Sequence, residues 1–194
     1  MKPDEKVFLA YFETKKKELY FNELKEITKL SDSSLSNTLK KLVTHDILLV
    51  NKTKSNTFYC IRNKRLFALK FSAFALSKFV SLNRGIQTPL HELLRLTQDS
   101  IQTIVLFGSA SRKQEKRGSD IDLIVVTNEK TTFDRVKKEI DSISNYPLNI
   151  FLCSSKAFRE QKDHLIIQAK TTGFPIKGEQ FFYEVLLDEI CRIF

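Results

Sequence analysis

The 194-residue chain reads as an α+β protein, and three observations carry that reading. Apolar residues recur at helical spacing from about residue 7 to residue 43. Two β-prone runs joined by a polar hexapeptide follow. From residue 102 onward, short apolar runs alternate with helical patterns. The first block predicts a small helical unit with a hairpin, and the second a mixed sheet flanked by helices.

Val7, Phe8, Tyr11 and Phe12 predict a first helix over residues 4–16. In Asn22-Glu23-Leu24-Lys25-Glu26-Ile27 the apolar Leu24 and Ile27 face inward on a short second helix, and Thr28-Lys29-Leu30 makes the turn. Ser31-Asp32-Ser33-Ser34 caps a third helix, because their short side chains accept from the free amides of a first turn. Leu35, Leu39, Leu42 and Val43 line its inner face. Ile47–Val50 and Thr57–Ile61 are the two strands, with Asn51 to Asn56 as a polar tip. Residues 1–65 thus resemble a winged helix-turn-helix domain. In such a domain the third helix offers its N-terminal residues to base edges. Here those are Ser33, Ser34, Ser36, Asn37 and Lys40, with Lys41 nearer the phosphates and Lys52 and Lys54 on the wing. A solvated face, or a protein-binding or dimerisation role, is the other reading of the same residues.

Residues 66–84 carry Leu66, Phe67, Leu69, Phe71, Phe74, Leu76, Phe79, Val80 and Leu82. This stretch is too apolar for a free linker and too interrupted by Lys70, Ser72 and Lys78 for a membrane span. A buried connecting helix over 66–87 is expected, with packing against the same helix in a homodimer as the second reading. Gly85 and Thr88-Pro89 punctuate its end, and a helix follows from Pro89 to Gln98. A last domain then takes residues 88–194. Its expected elements are strand 102–107, a short helix 110–116, strand 120–127 and a helix 132–144 with Phe133, Val136, Ile140 and Ile143 inward. Strand 147–152, helices 155–161 and 165–172, an extended piece at 173–178 and a helix 179–193 complete it.

The net charge of +9 is uneven. Residues 1–65 hold fourteen Lys/Arg against eight Asp/Glu, while residues 101–194 hold fourteen against thirteen. The surplus therefore sits in the N-terminal third and points to a polyanion, DNA, as partner there. No apolar run reaches transmembrane length and no signal-peptide pattern opens the chain, so no membrane association and a cytoplasmic location are expected. Cys60, Cys153 and Cys191 are far apart and form no Cys-x-x-Cys pair; they are expected as small buried apolar residues. His45, His91 and His164 are equally scattered, which excludes a histidine-rich transition-metal site.

The chemistry-bearing stretch is Ile104-Val105-Leu106-Phe107-Gly108-Ser109, followed by Ser119-Asp120-Ile121-Asp122 and a second apolar run. With a strand period of two, Asp120 and Asp122 share one face while Ile121 and Leu123 take the other. Two neighbouring carboxylates repel unless a cation lies between them, and hard oxygen ligands suit Mg²⁺. Gly108 allows a close backbone approach to a phosphate, and the Ser109 hydroxyl and nearby amides donate to its oxygens. A phosphate cradle joined to metal-binding carboxylates is the equipment of nucleotidyl transfer.

Gly-Ser, ten residues and Asp-x-Asp is a compound motif. It resembles the polymerase-β-type nucleotidyltransferase superfamily, most closely its minimal, antitoxin-like branch, over roughly residues 88–190. The resemblance implies catalytic roles for Asp120, Asp122 and Ser109, and nucleotide contacts from Gly108, Ser109, Arg112 and Ser119. It implies Mg²⁺ held by Asp120 and Asp122, ATP as substrate, and a HEPN-type toxin protein whose hydroxyl receives AMP. The family supplies a third aspartate on the strand after the intervening helix; this chain has Asn149 there, a weak metal ligand, since an amide can coordinate through its oxygen but brings no negative charge and cannot act as a base. Two functions stay open: an adenylyl-transferring enzyme with a DNA-binding N-terminal domain, or a DNA-binding transcriptional regulator whose nucleotide pocket has lost turnover.

Overall fold

The computed structural model describes residues 1–130, 132–160 and 162–192. The chain divides into two compact units. One comprises Met1–Phe74 and the end of the chain from Tyr183; the other comprises Ala75–Phe182.

The first unit opens with α1 (Pro3–Thr14), β1 (Glu18–Tyr20), α2 (Phe21–Thr28) and α3 (Asp32–Thr44). A hairpin of β2 (Leu48–Lys52) and β3 (Thr57–Ile61) follows, and α4 (Lys64–Val80) begins after it. The three strands form an antiparallel sheet in the order β1-β3-β2, with Glu18 opposite Cys60 and Leu49 opposite Cys60 on the other side. β1 escapes a reading of the sequence because three residues carry no period of their own; pairing with β3 makes it a strand. Ser31 caps α3 by accepting from the Ser34 amide at 3.3 Å. Leu35, Leu39 and Leu42 are buried as the spacing requires. Phe67 of α4 meets Phe8 edge-on, ring centroids 4.5 Å apart, and the Tyr11 hydroxyl donates to the Tyr59 carbonyl at 2.8 Å. Tyr183 packs edge-on against Phe71 at 4.6 Å, and Lys64 pairs with Asp188 at 2.7 Å, so the far end of the chain joins this core.

α4 corrects the expectation of a buried helix. Phe67, Phe71, Ala75 and Phe79 are buried, but Leu69, Leu76 and Val80 are exposed, so the helix is one-sided. α5 (Arg84–Leu96) corrects the expected break at Gly85 and Pro89. Asn83 accepts from the Gly85 amide at 2.6 Å and starts the helix there, and Pro89 falls in an early turn where its missing N–H removes a single helical bond.

The second unit is built on a four-stranded sheet of β4 (Thr103–Phe107), β5 (Ile121–Val126), β6 (Leu148–Cys153) and β7 (Phe174–Lys177), in the order β6-β5-β4-β7. β5 and β6 run parallel; β4 is antiparallel to both its neighbours. Every residue of β4 is buried, which explains its unbroken apolar run. The connections carry α6 (Gly108–Ser111), α7 (Asp134–Asp141), α8 (Ser155–Glu160) and α9 (His164–Thr172), and α10 (Glu179–Arg192) follows β7. α6 is four residues long, shorter than the expected 110–116, because the backbone turns left-handed at Lys113 (φ 57°). α7 is likewise shorter than 132–144, and Ile143, expected inward, is 71 % exposed beyond its end. Gln161 and Ile193, expected at helix ends, lie outside the described residues. The three cysteines are half-buried rather than buried. No helix among the described residues is long and apolar enough to cross a membrane.

Gly178 makes the turn from β7 into α10 at φ +67°, and a Cβ there would sit 1.8 Å from the Gln102 carbonyl oxygen. Gly178→Ala is expected to cost about 2 kcal/mol or more, lowering the melting temperature of this unit by roughly 4 °C or more in a thermal melt.

Candidate active site

The site begins where β4 ends. Phe107 lies opposite Asp122 in the β4–β5 ladder, and Asp122 lies opposite Asn149 in the β5–β6 ladder. One row across three strands therefore carries Phe107, Asp122 and Asn149. After Phe107 the backbone swings left-handed at Gly108 (φ +72°), and a Cβ at that residue would lie 2.2 Å from Asp122 Oδ2. Only glycine permits both the torsion and the approach. The Asp122 carboxylate is thus lodged against the bend, with Asn149 Nδ2 donating to its other oxygen at 3.0 Å.

Asp122 is half-buried, and its carboxyl is held above the usual aspartate range. Burial is the largest cause; the hydrogen bond from Asn149 works against it, and the nearby Asp120 charge adds to it. Asp120 is exposed and sits just ahead of β5. The Asp120 charge thus acts on Asp122 at one end of the sheet, the one carboxylate exposed and the other half-buried.

The bend is braced from behind. The Ser111 hydroxyl shares its single proton between the Gly108 carbonyl at 3.0 Å and the Thr172 carbonyl at 3.2 Å, tying α6 to the end of α9. Gly173 follows, where a Cβ would meet the Ala169 and Leu106 carbonyl oxygens at 2.4 and 2.7 Å. Gly173 was not legible as part of the site, because its sequence neighbourhood only marks a helix end, and Ser111 showed no distant partner until α9 returned to it. The Ser109 carbonyl accepts from the Arg112 and Gln114 amides at 3.1 and 3.0 Å, and its side chain stays half-exposed.

Two candidate nucleotide contacts are engaged elsewhere. Arg112 Nε donates to Gln114 Oε1 at 3.1 Å, and the Ser119 hydroxyl accepts from the Lys116 amide at 2.9 Å. Both groups close the loop 112–119 on itself. Glu115, which sequence reasoning did not single out, anchors the loop by accepting from Asn83 Nδ2 at 3.3 Å. The four-residue α6 aligns too few peptide dipoles for the positive helix end that a longer helix was expected to supply.

In the first unit, Ser33, Asn37, Lys40, Lys41, Lys52 and Lys54 are exposed, while Ser34 and Ser36 are half-buried. The Ser33 hydroxyl is 3.3 Å from that of Ser31, so it serves the cap as well as the surface.

Among the described residues no group of three His, Cys, Asp or Glu side chains converges. Asp120 and Asp122 offer carboxylate oxygens of the kind that suits one hard dication, and burial, with the Asp120 charge adding to it, holds the Asp122 carboxyl above its usual range. Asn149 turns its NH₂ toward Asp122, so in this arrangement its nitrogen, which is no ligand for a hard cation, faces the site.

Residues 90–172 match the family described as polymerase beta, nucleotidyltransferase. That span includes Gly108, Ser109, Asp120, Asp122 and Asn149. No curated protein matches the chain. Among solved structures, the chain is similar to a crystal structure of a toxin–antitoxin with AMP-PNP, at 21 % identity and a TM-score of 0.41, covering 54 % of this chain and 84 % of that one. It is also similar to a mutant of the toxin–antitoxin MntA-HpeT, at 20 % identity and a TM-score of 0.38, with the same two coverages.

A carboxyl whose folded pKa is raised binds its proton more tightly folded than unfolded. Its stabilising contribution is present below the unfolded value and is lost as pH rises through the folded value. Asp122→Asn is therefore expected to raise the melting temperature at pH 7 without metal, by about 1–2 °C after allowance for solvent screening. The difference should shrink as pH falls toward 4. A variant that melts no higher than the wild type at pH 7 would refute the account of Asp122.

Proposed function

We propose that this chain, whose residues 90–172 match polymerase-β-type nucleotidyltransferases, transfers AMP from ATP to a hydroxyl of a protein partner in a Mg²⁺-dependent reaction. The observation that carries the reading is the contact of Gly108 with Asp122, which sets the glycine-serine bend directly on a partly desolvated carboxylate. Asp120 and Asp122 are the residues to hold the cation. Mg²⁺, when bound there, neutralises phosphate charge and binds the nucleotide as its metal complex. Gly108 lets the phosphates approach the backbone, and the Ser109 hydroxyl donates to them. Arg112 and Ser119 take part once the loop 112–119 releases them. Asn149 holds Asp122 in place and contributes no charge, so the acceptor hydroxyl must lose its proton without a third carboxylate at that position.

The protein acceptor, a HEPN-type toxin in the antitoxin-like branch the motif resembles, suits a small second unit. Residues 1–65 act as a winged helix-turn-helix, residues 66–87 as the connection, and residues 88–194 as the transferase domain. Support for the N-terminal part comes from three helices, the antiparallel hairpin and the basic surplus. Ser33, Ser34, Ser36, Asn37 and Lys40 face base edges and Lys41, Lys52 and Lys54 phosphates. A second reading is favoured by one observation, the Asn149 amide that presents N–H rather than charge to Asp122. On that reading the chain is a DNA-binding regulator that binds nucleotide without turnover.

ATP labelled at the α-phosphate, with Mg²⁺ and lysate of the cell of origin, is expected to label a protein band. Asp120→Ala with Asp122→Ala abolishes it, and Asn149→Asp increases the rate roughly 10²-fold. Labelling that survives in the double mutant would sink the transferase site; nucleotide binding with no labelling, turned on only by Asn149→Asp, selects the regulator. Gel shifts over a salt series should show DNA affinity falling steeply with salt, and Lys52→Ala with Lys54→Ala should flatten the log–log slope by about 2. No retardation at low salt means the N-terminal unit does not bind DNA.

A further inference from the structure

β6 is the outer strand of its sheet, and its outward edge is open over two residues. The carbonyls of Pro147 and Cys153 turn to β5, where they accept from the Ile121 and Thr127 amides. With a strand period of two, Asn149 and Phe151 turn their main-chain groups the same way. Leu148, Ile150 and Leu152 therefore point theirs away from the sheet. Leu148 is covered: its N–H donates to Asp141 Oδ1 at 2.7 Å, and its carbonyl accepts from the Lys137 ammonium. Ile150 and Leu152 have no such cover among the described residues, and the Leu152 side chain is 47 % exposed. An open strand edge is a ready template for another chain, and α7 blunts this one only at its first residue.

We infer that this edge docks an extended segment of the acceptor protein, which adds to β6 as a fifth strand. The inference rests on the transferase reading and specifies how its acceptor is held. Two observations choose the occupant. The groups on offer are main-chain donors and acceptors in strand geometry, which match an extended polypeptide and not a nucleotide end or a small molecule. The edge also opens one residue past Asn149, whose amide touches Asp122. A strand added there lies two strand spacings, about 10 Å, from Asp122. Its side chains alternate, and those on the face of Asn149 point to the carboxylate side, where one long hydroxyl-bearing side chain spans most of the gap. Four main-chain groups make a short dock, suited to a substrate that has to leave.

The test uses the full chain with Mg²⁺ and a non-hydrolysable ATP analogue, against a phage-displayed library of random dodecapeptides. The expected result is a set of peptides that slow amide exchange at Ile150 and Leu152 and bind Leu152→Pro and Ile150→Pro at least tenfold more weakly. These prolines remove outward N–H groups and leave the β5 ladder intact, a substitution that edge strands accept. No enriched peptide, equal binding to the variants, or a wild-type dimer that the prolines convert to monomer would overturn the proposal; the last outcome assigns the edge to a second copy. Should neither proline variant fold, as judged by circular dichroism, the exchange measurement on the wild type decides. Analogue binding is followed on the same samples. If it persists while peptides fail, the docking idea alone falls; if the wild type binds no analogue, the transferase reading falls with it.

Discussion

The Asp122 carboxylate, wedged between a glycine that has no side chain and an asparagine that donates a hydrogen bond to it, is the constraint on which the second unit turns. Its two oxygens face different neighbours, Gly108 on one side and Asn149 on the other. That placement needs β4, β5 and β6 in strict register, since a slip of one residue moves a side chain to the opposite face. The register is secured by apolar burial. Ile104, Val105, Leu106, Ile121, Leu123 and Val125 are almost wholly enclosed, and each such side chain contributes about 1.5–3 kcal/mol relative to exposure. The core therefore holds a charge where it is not electrostatically welcome.

The cost of that placement is visible in the raised carboxyl of Asp122, and the surroundings limit it without removing it. Asn149 offsets part of the desolvation with a neutral donor. A carboxylate there would have added a repulsion to those already present. No residue of β6 brings a charge to the row of Phe107, Asp122 and Asn149. In the loop 112–119, Arg112 and Ser119 each make a hydrogen bond within the loop itself.

In the first unit the ordering principle is aromatic packing. Phe8, Tyr11, Phe12, Phe67, Phe71 and Tyr183 meet one another at centroid distances between 4.5 and 6.2 Å. Those rings come from α1, α4 and α10, which lie at the two ends of the sequence and just after the hairpin. The exposed residues of α3 and of the β2–β3 tip are left free of this core, and Lys40, Lys41, Lys52 and Lys54 among them carry part of the basic surplus of this stretch.

Local chemistry in the sequence determined much of this. The cap at Ser31, the helical stripe of Leu35, Leu39 and Leu42, the apolar run Ile104–Phe107 of β4 and the glycine-serine bend before Asp-x-Asp are each written within a few residues. Their physics is short-range, and that is why they could be read. Tertiary structure alone decided the rest. β1 exists because β3 pairs with it. Gly85 and Pro89 lie inside a helix because Asn83 caps it first. Ser111 and Gly173 brace the bend because α9 returns to it, and Arg112 and Ser119 bond within their own loop, to Gln114 and Lys116. Sequence specifies which groups the site has to work with; the meeting of distant strands and helices, set by burial and main-chain pairing, decides which of those groups touch.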